Sequence, residues 1–273
     1  MTTTTLSPTA PTREPSGLGL ALADAMTMTW RNLRAMSRVP AVIVFSTIQP
    51  LIFVLTFRYV FGGAVNVGPI EYVDFLMPGI FVQTVAFGAM NTAIGLSEDL
   101  ARGLVERFRS LPMARSAVLA GRTCADVVRN LFVVLLMIAV GFLVGFDIYA
   151  GWAAFAFAVV LLLAFGFAMS WVFALVALSV PNAEAAQAAS FPILAVLVFA
   201  SNAFVPVETM PGWLQAYNEV NPVSLVCNAV RKLCLGDQIP GSTLEAVLKA
   251  IACIAGILAV FGPLAVARYR RAL

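Results

Sequence analysis

Long apolar runs, broken by short polar segments, set the layout of the chain. Six of them fall at about Ala41–Phe61, Leu76–Ser97, Leu131–Phe146, Trp152–Val180, Ala186–Val205 and Ala246–Ala267. An α-helix needs ~20 residues to cross ~30 Å of hydrocarbon, so each run is expected to form a membrane span. Residues 1–17 are rich in Thr, Pro and Ser and lack the apolar core of a signal peptide, which predicts a disordered cytoplasmic tail. Over 18–38 the periodicity becomes helical. Leu22, Met26, Trp30, Leu33 and Met36 share one face and Arg31, Arg34 and Arg38 the other, predicting an interfacial helix with Trp30 at headgroup depth. The expected fold is therefore all-α, with this amphipathic helix leading into a six-span domain over 39–273. Before the last span, residues 206–245 are too polar to cross and too apolar for a plain linker. Their prolines predict short helices that re-enter or cap the outer leaflet, anchored by Trp213 and Tyr217.

Composition agrees with this layout. Of 273 residues, 61% are hydrophobic and 11% charged, where a soluble domain carries about 25% charge. A water-soluble fold could not hide that much apolar surface. The segment between the first two spans and the turn between the third and fourth contain no Lys or Arg, whereas Arg102, Arg107, Arg109, Arg115, Arg122 and Arg129 crowd the segment 98–130. With Arg268, Arg270 and Arg271 at the other end, the positive-inside rule puts 98–130 and both termini in the cytoplasm, and an even number of spans follows. A net charge of +3 without a basic, aromatic-interleaved patch gives no reason to expect nucleic acid as a partner.

The chain contains no histidine, and Cys124, Cys227, Cys234 and Cys253 have no metal-ligand spacing, so they are expected to be packing residues and no metal is expected. The spans show almost no ionisable groups of the kind that an ion-coupled transporter requires; Arg58 is expected to snorkel to the headgroups. There is also no GxxxxGK[ST] phosphate loop. Energy for any transport must then come from another polypeptide. Gln49, Gln83, Asn91 and Asn202 are candidate pathway residues, with hydrogen bonding between helices as the competing role.

The most informative segment is EDLARGLVERFRSLPMARSAVLAGR, from Glu98 to Arg122. Leu100, Leu104, Phe108 and Leu111 line one helical face, Arg102 and Arg109 lie opposite, and Asp99 and Glu106 stand beside them. Gly103 weakens the helix and Pro112 ends it, as suits a short transmitting element followed by a sharp turn into the third span, with a solvated loop helix lying on the bilayer as the competing role. This segment resembles the intracellular coupling segment of type-2 ABC export permeases, above all the daunorubicin/doxorubicin-resistance branch. PGWLQAYNEVNPVSLVCNAVRKL, with Asn221-Pro222 and Arg231, is similar to the family's outer segment before the last span. One departure is Ala101, where many relatives carry a second acid.

The resemblance implies a membrane subunit in the bacterial plasma membrane, paired with a second permease copy and two ATPase subunits, which would hold the ATP and Mg that this chain does not bind. Glu98, Asp99, Leu100, Gly103, Leu104, Glu106, Arg107, Phe108 and Pro112 would then form the ATPase-coupling site, and the cargo would be a hydrophobic or amphipathic drug, antibiotic or lipid. A lipid-linked glycan or cell-envelope polymer is the alternative cargo. A non-transporting scaffold and a membrane-embedded enzyme are the rivals from other classes, the latter disfavoured because no carboxylate pair, or nucleophile with a base, stands in the spans.

Overall fold

The computed structural model describes residues 40–65, 67–101 and 115–271, and every regular element among them is helical. In chain order these are α1 Pro40–Thr56, which runs on into a π-helical turn at Phe57–Phe61, α2 Tyr72–Ala101, α3 Arg115–Leu143, α4 Trp152–Ala177, α5 Ala183–Phe199, α6 Gly212–Val220, α7 Pro222–Leu235 and α8 Thr243–Arg271. The 18–38 helix and the 1–17 tail lie outside the described residues.

Helix α2 is the axis of the bundle. Tyr72 through Ala86 are all buried, because α1, α3, α4, α5 and α7 pack around it. Helix α8, in contrast, touches only α4 and α7 extensively and leaves Leu244, Leu248, Ile251, Val260 and Leu264 exposed. Apolar side chains with no protein neighbour are what a lipid-facing surface requires. Small residues set the closest approaches. A Cβ at Gly79 would lie 2.1 Å from the carbonyl oxygen of Ala203, and one at Gly88 would lie 2.2 Å from Asn130 Oδ1. Close backbone approach is how helices gain packing where there is no water to drive them together.

Among the described residues, four helices are long and apolar enough to cross a membrane: Tyr72–Ala101, Asp126–Leu143, Trp152–Ala177 and Thr243–Tyr269. Of the other two expected spans, the first coincides with α1 and its π-helical continuation, from Pro40 to Phe61, and the fifth with the shorter apolar helix Ala183–Phe199. At ~1.5 Å per residue, a 17-residue α5 reaches only about 25 Å. It stops at Phe199 instead of continuing to Val205 because Ser201 Oγ donates to Val198 O and accepts from Ala203 N, which turns the backbone out of the helix. Its start is set by Asn182, whose Oδ1 caps the N–H of Ala185 at 2.8 Å. The largest shift is in the third span. Helix α3 begins at Arg115, and its apolar stretch takes in Asp126, Arg129 and Asn130, all of them buried, where the sequence placed the boundary at Leu131.

The two ends of the bundle are distinct. At one end the α3–α4 turn meets α7, with the N–H groups of Tyr149 and Ala150 both bonded to Cys234 O at 2.9 and 3.0 Å. Asp74, in the first turn of α2, grips the same turn, accepting from Asp147 N at 2.9 Å and Tyr149 Oη at 3.2 Å. At the opposite end, Glu98 and Ala101 of α2 lie beside the α4–α5 link at Asn182–Glu184, and Asp99 is close enough to Tyr269 of α8 to act on it electrostatically.

Candidate functional site

The helical segment between α5 and α8 is built into the bundle. Helix α7 begins with Asn221, whose Oδ1 caps the N–H of Val223 at 2.9 Å, followed by Pro222 in the first turn where no N–H is needed. Asn221 Nδ2 also donates to Leu197 O near the end of α5 at 2.9 Å. Asn218 of α6 donates to Ala200 O at 3.0 Å and to Leu214 O at 2.8 Å, and accepts from Ser224 Oγ. Helix α7 ends at Gly236, whose φ of 59° is a conformation that favours glycine. Lys232 reaches past it to the carbonyls of Gly236 and Ile239, neutralising the helix C-terminus.

Arg231 is the centre of this joint. It is buried, with Nε donating to Phe75 O at 3.1 Å, Nη2 to Asn202 O at 3.0 Å and to Ala203 O at 3.5 Å, and the guanidinium 3.7 Å from the centre of the Phe75 ring. Carbonyl dipoles and a ring face thus take the place of a carboxylate partner, and they hold α2, the turn after α5 and α7 together. The same place contains an aromatic cluster: Phe57 stacks on Phe204 at 4.7 Å, and Phe53 packs against Phe57, Phe199 and Phe204. Outside it, a cleft of about 730 Å³ opens between α6, α7 and the start of α8, with Gln215, Glu219, Asn228, Glu245 and Lys249 on its walls. Trp213 is exposed, and burial pushes the Tyr217 phenol above its ordinary pKa.

A second polar joint lies between α2 and α3. Asp126 Oδ1 stands 3.1 Å from Arg129 Nη1, with both side chains only 7% exposed. Thr92 Oγ1 of α2 donates to Asp126 Oδ2, and Arg129 Nη2 donates to the carbonyl of Gly88, one turn along α2. Asn130 fits into the space that Gly88 and Gly166 leave by having no Cβ. Four groups of opposite or complementary polarity therefore close on one another, which is the condition under which buried charge is tolerated.

Arg129, expected on the cytoplasmic side, sits with Asp126 inside the bundle, so the spans hold more ionisable groups than the almost none expected from the sequence. The signal was present as the i, i+3, i+4 spacing of Asp126, Arg129 and Asn130, matched by Gly88 and Thr92 at i, i+4. Arg58, expected to reach for headgroups, lies 3.5 Å from exposed Glu71.

The expected coupling residues are placed only at their beginning. Glu98 is exposed at a cavity of about 410 Å³ that it shares with Ala101, Asn182, Ala183 and Glu184, while Leu100 packs against the core. Gly103, Leu104, Glu106, Arg107, Phe108 and Pro112 lie outside the described residues, as do Trp30, Arg31, Arg34 and Arg38. Of the four candidate pathway residues, Gln83 and Asn91 lie on α2, Gln49 on α1 and Asn202 just after α5. Gln49 is exposed, Asn91 donates to Gly88 O in its own helix at 3.3 Å, and Asn202 donates to Asn228 Oδ1 at 2.6 Å in the joint around Arg231. Gln83 is buried in α2 with Oε1 lacking a hydrogen-bond donor. Cys227 and Cys234 are buried and free, and Cys253 is half-buried and free, as packing residues would be.

A bundle that is all helix among the described residues, with four helices long and apolar enough to cross a membrane, is that of a multi-pass membrane protein. The chain belongs to the ABC-2 type transporter family, which it matches over residues 24–235. It is 36% identical over 250 residues to the daunorubicin resistance ABC transporter permease protein DrrB1 of Streptomyces coeruleorubidus, covering 92% of this chain and 87% of that one. With the probable doxorubicin resistance ABC transporter permease protein DrrC of Mycobacterium tuberculosis it shares 28% identity over 274 residues, 96% and 95% of the two chains. The putative transport permease ycf38 of Cyanophora paradoxa is 26% identical over 203 residues, covering 72% of this chain and 69% of that one.

Proposed function

We propose that this chain is the membrane permease of an ATP-driven exporter that moves a hydrophobic or amphipathic drug out of the cell. The observation that carries the reading is similarity along nearly the whole chain to a permease named for daunorubicin resistance, with a family match reaching from before α1 to the end of α7. Six crossings with both termini in the cytoplasm of a bacterium complete the arrangement. The polarity of the bundle supports it, since Glu98, the α4–α5 link and Tyr269 share one end and the α3–α4 turn and α7 share the other. The segment from Glu98 to Pro112 docks an ABC ATPase. Two permease copies and two ATPase copies form the working unit, and the ATPase binds ATP and Mg.

Co-expression with the ATPase encoded nearby, followed by doxorubicin efflux from loaded cells, tests the reading. Efflux should require both chains and stop with a hydrolysis-dead ATPase. Efflux that persists with the dead ATPase and collapses with an ionophore would overturn it.

A further inference from the structure

We infer that Asp126, Arg129 and Thr92 are positioning residues that lock α2 and α3 into one lever, so that movement at the coupling segment reaches the outer joint. This rests on the proposed docking of an ATPase on that segment. Residues 102–114 connect the end of α2 directly to the start of α3, so whatever moves them pulls on both helices. The seam lies beyond that connection. Thr92 is nine residues before Ala101 and Asp126 eleven after Arg115, so at ~1.5 Å per residue each arm extends about 14–16 Å past the seam. Without a fixed contact, two arms of that length could slide or splay, and a push would be spent in the loop. The seam prevents both motions. The Thr92–Asp126 bond and the Arg129–Gly88 bond cross between the helices one turn apart, which fixes their register, and the Asp126–Arg129 pair fixes the direction of each crossing bond.

Stability alone does not call for these residues. Replacing a buried ion pair by apolar residues of similar volume is often neutral or stabilising, whereas a charged pair with specific crossing bonds allows one register only. Helix α2 carries the other half of the path. Its opposite end bears Phe75, whose carbonyl and ring hold Arg231, so a lever that includes α2 moves the outer joint directly.

The test separates folding from transmission by removing all the seam charge at once. A variant carrying Asp126→Leu, Arg129→Met and Thr92→Val leaves no buried charge unpaired, so it should insert and bind the ATPase as the parent does. In nanodiscs with the ATPase it should hydrolyse ATP at the parental rate, while doxorubicin moved per ATP in proteoliposomes falls about tenfold, in the range by which residues on a coupling path alter it. Asp126→Glu, which keeps the charge pair, should retain most of the parental ratio. An unchanged transport-to-hydrolysis ratio in the triple variant overturns the lever. If the triple variant does not insert, Thr92→Val and Asp126→Asn each remove one link, and an unchanged ratio in both overturns it equally. Failure of the parent itself to bind an ATPase would instead sink the proposed function.

Discussion

Two glycines do different things with the same missing atom. At Gly79 the neighbour is the backbone oxygen of Ala203, whose carbonyl also accepts from Arg231 and cannot yield without loosening the joint. At Gly88 the neighbour is the end of the Asn130 side chain, which can turn away. Gly79→Ala should therefore cost about 1–3 kcal/mol, the usual cost of overpacking a tight interior. Gly88→Ala should cost less. Thermal unfolding in nanodiscs checks the ranking, and a double variant supplies the control: Asn130→Ala should relieve Gly88→Ala and leave the loss at Gly79→Ala unchanged. Equal losses at both glycines would mean that backbone and side-chain neighbours yield alike.

Each helix traces back to its sequence to a different extent. The apolar runs located the bundle helices because one physical requirement, burial or lipid contact along a whole helix, governs their composition. Short helices over 206–245 were legible from the prolines, and the structure adds their limits, with α7 starting at Asn221-Pro222 and stopping at Gly236. What composition could not give was depth. Asp126 and Arg129 look like the polar edge of a loop until Thr92 and Gly88 of a helix 34 and 41 residues away close on them. Arg231 likewise needs three carbonyls from two other places in the chain to explain its burial. The segment 102–112 lies outside the described residues, and the face by which it is proposed to dock is read from its sequence pattern. If Leu104 and Phe108 enter the ATPase, Phe108→Ala should weaken ATPase affinity by about 2 kcal/mol, as loss of a buried aromatic anchor does. Arg102→Gln and Arg109→Gln should cost about 0–1 kcal/mol, the range for exposed pairs. Affinity measured in nanodiscs with each correctly inserted variant checks this, and the reverse ranking would mean that the charged face docks.

At the scale of the whole molecule, the α3–α4 turn and the α1–α2 connection differ in what ties them down. The turn from Phe146 to Gly151 looks accessible, with Tyr149 half exposed. Yet its backbone is bound to Cys234 through two N–H groups and to Asp74 through a third, and Tyr149 adds its hydroxyl to Asp74. The connection between α1 and α2 has no such fastening at Gly63, where nothing lies within 4 Å of the space a side chain would take. Tolerance of inserted sequence follows the bonding of the backbone rather than its exposure. A short epitope placed after Gly63 should be stained by antibody on intact cells and leave drug export intact. The same epitope placed after Ile148 should reach the surface in smaller amounts or export poorly, because it pulls the cap from α7. Surface tagging of this permease, for sorting cells or following its turnover, thus belongs in the looser connection and not in the tighter turn.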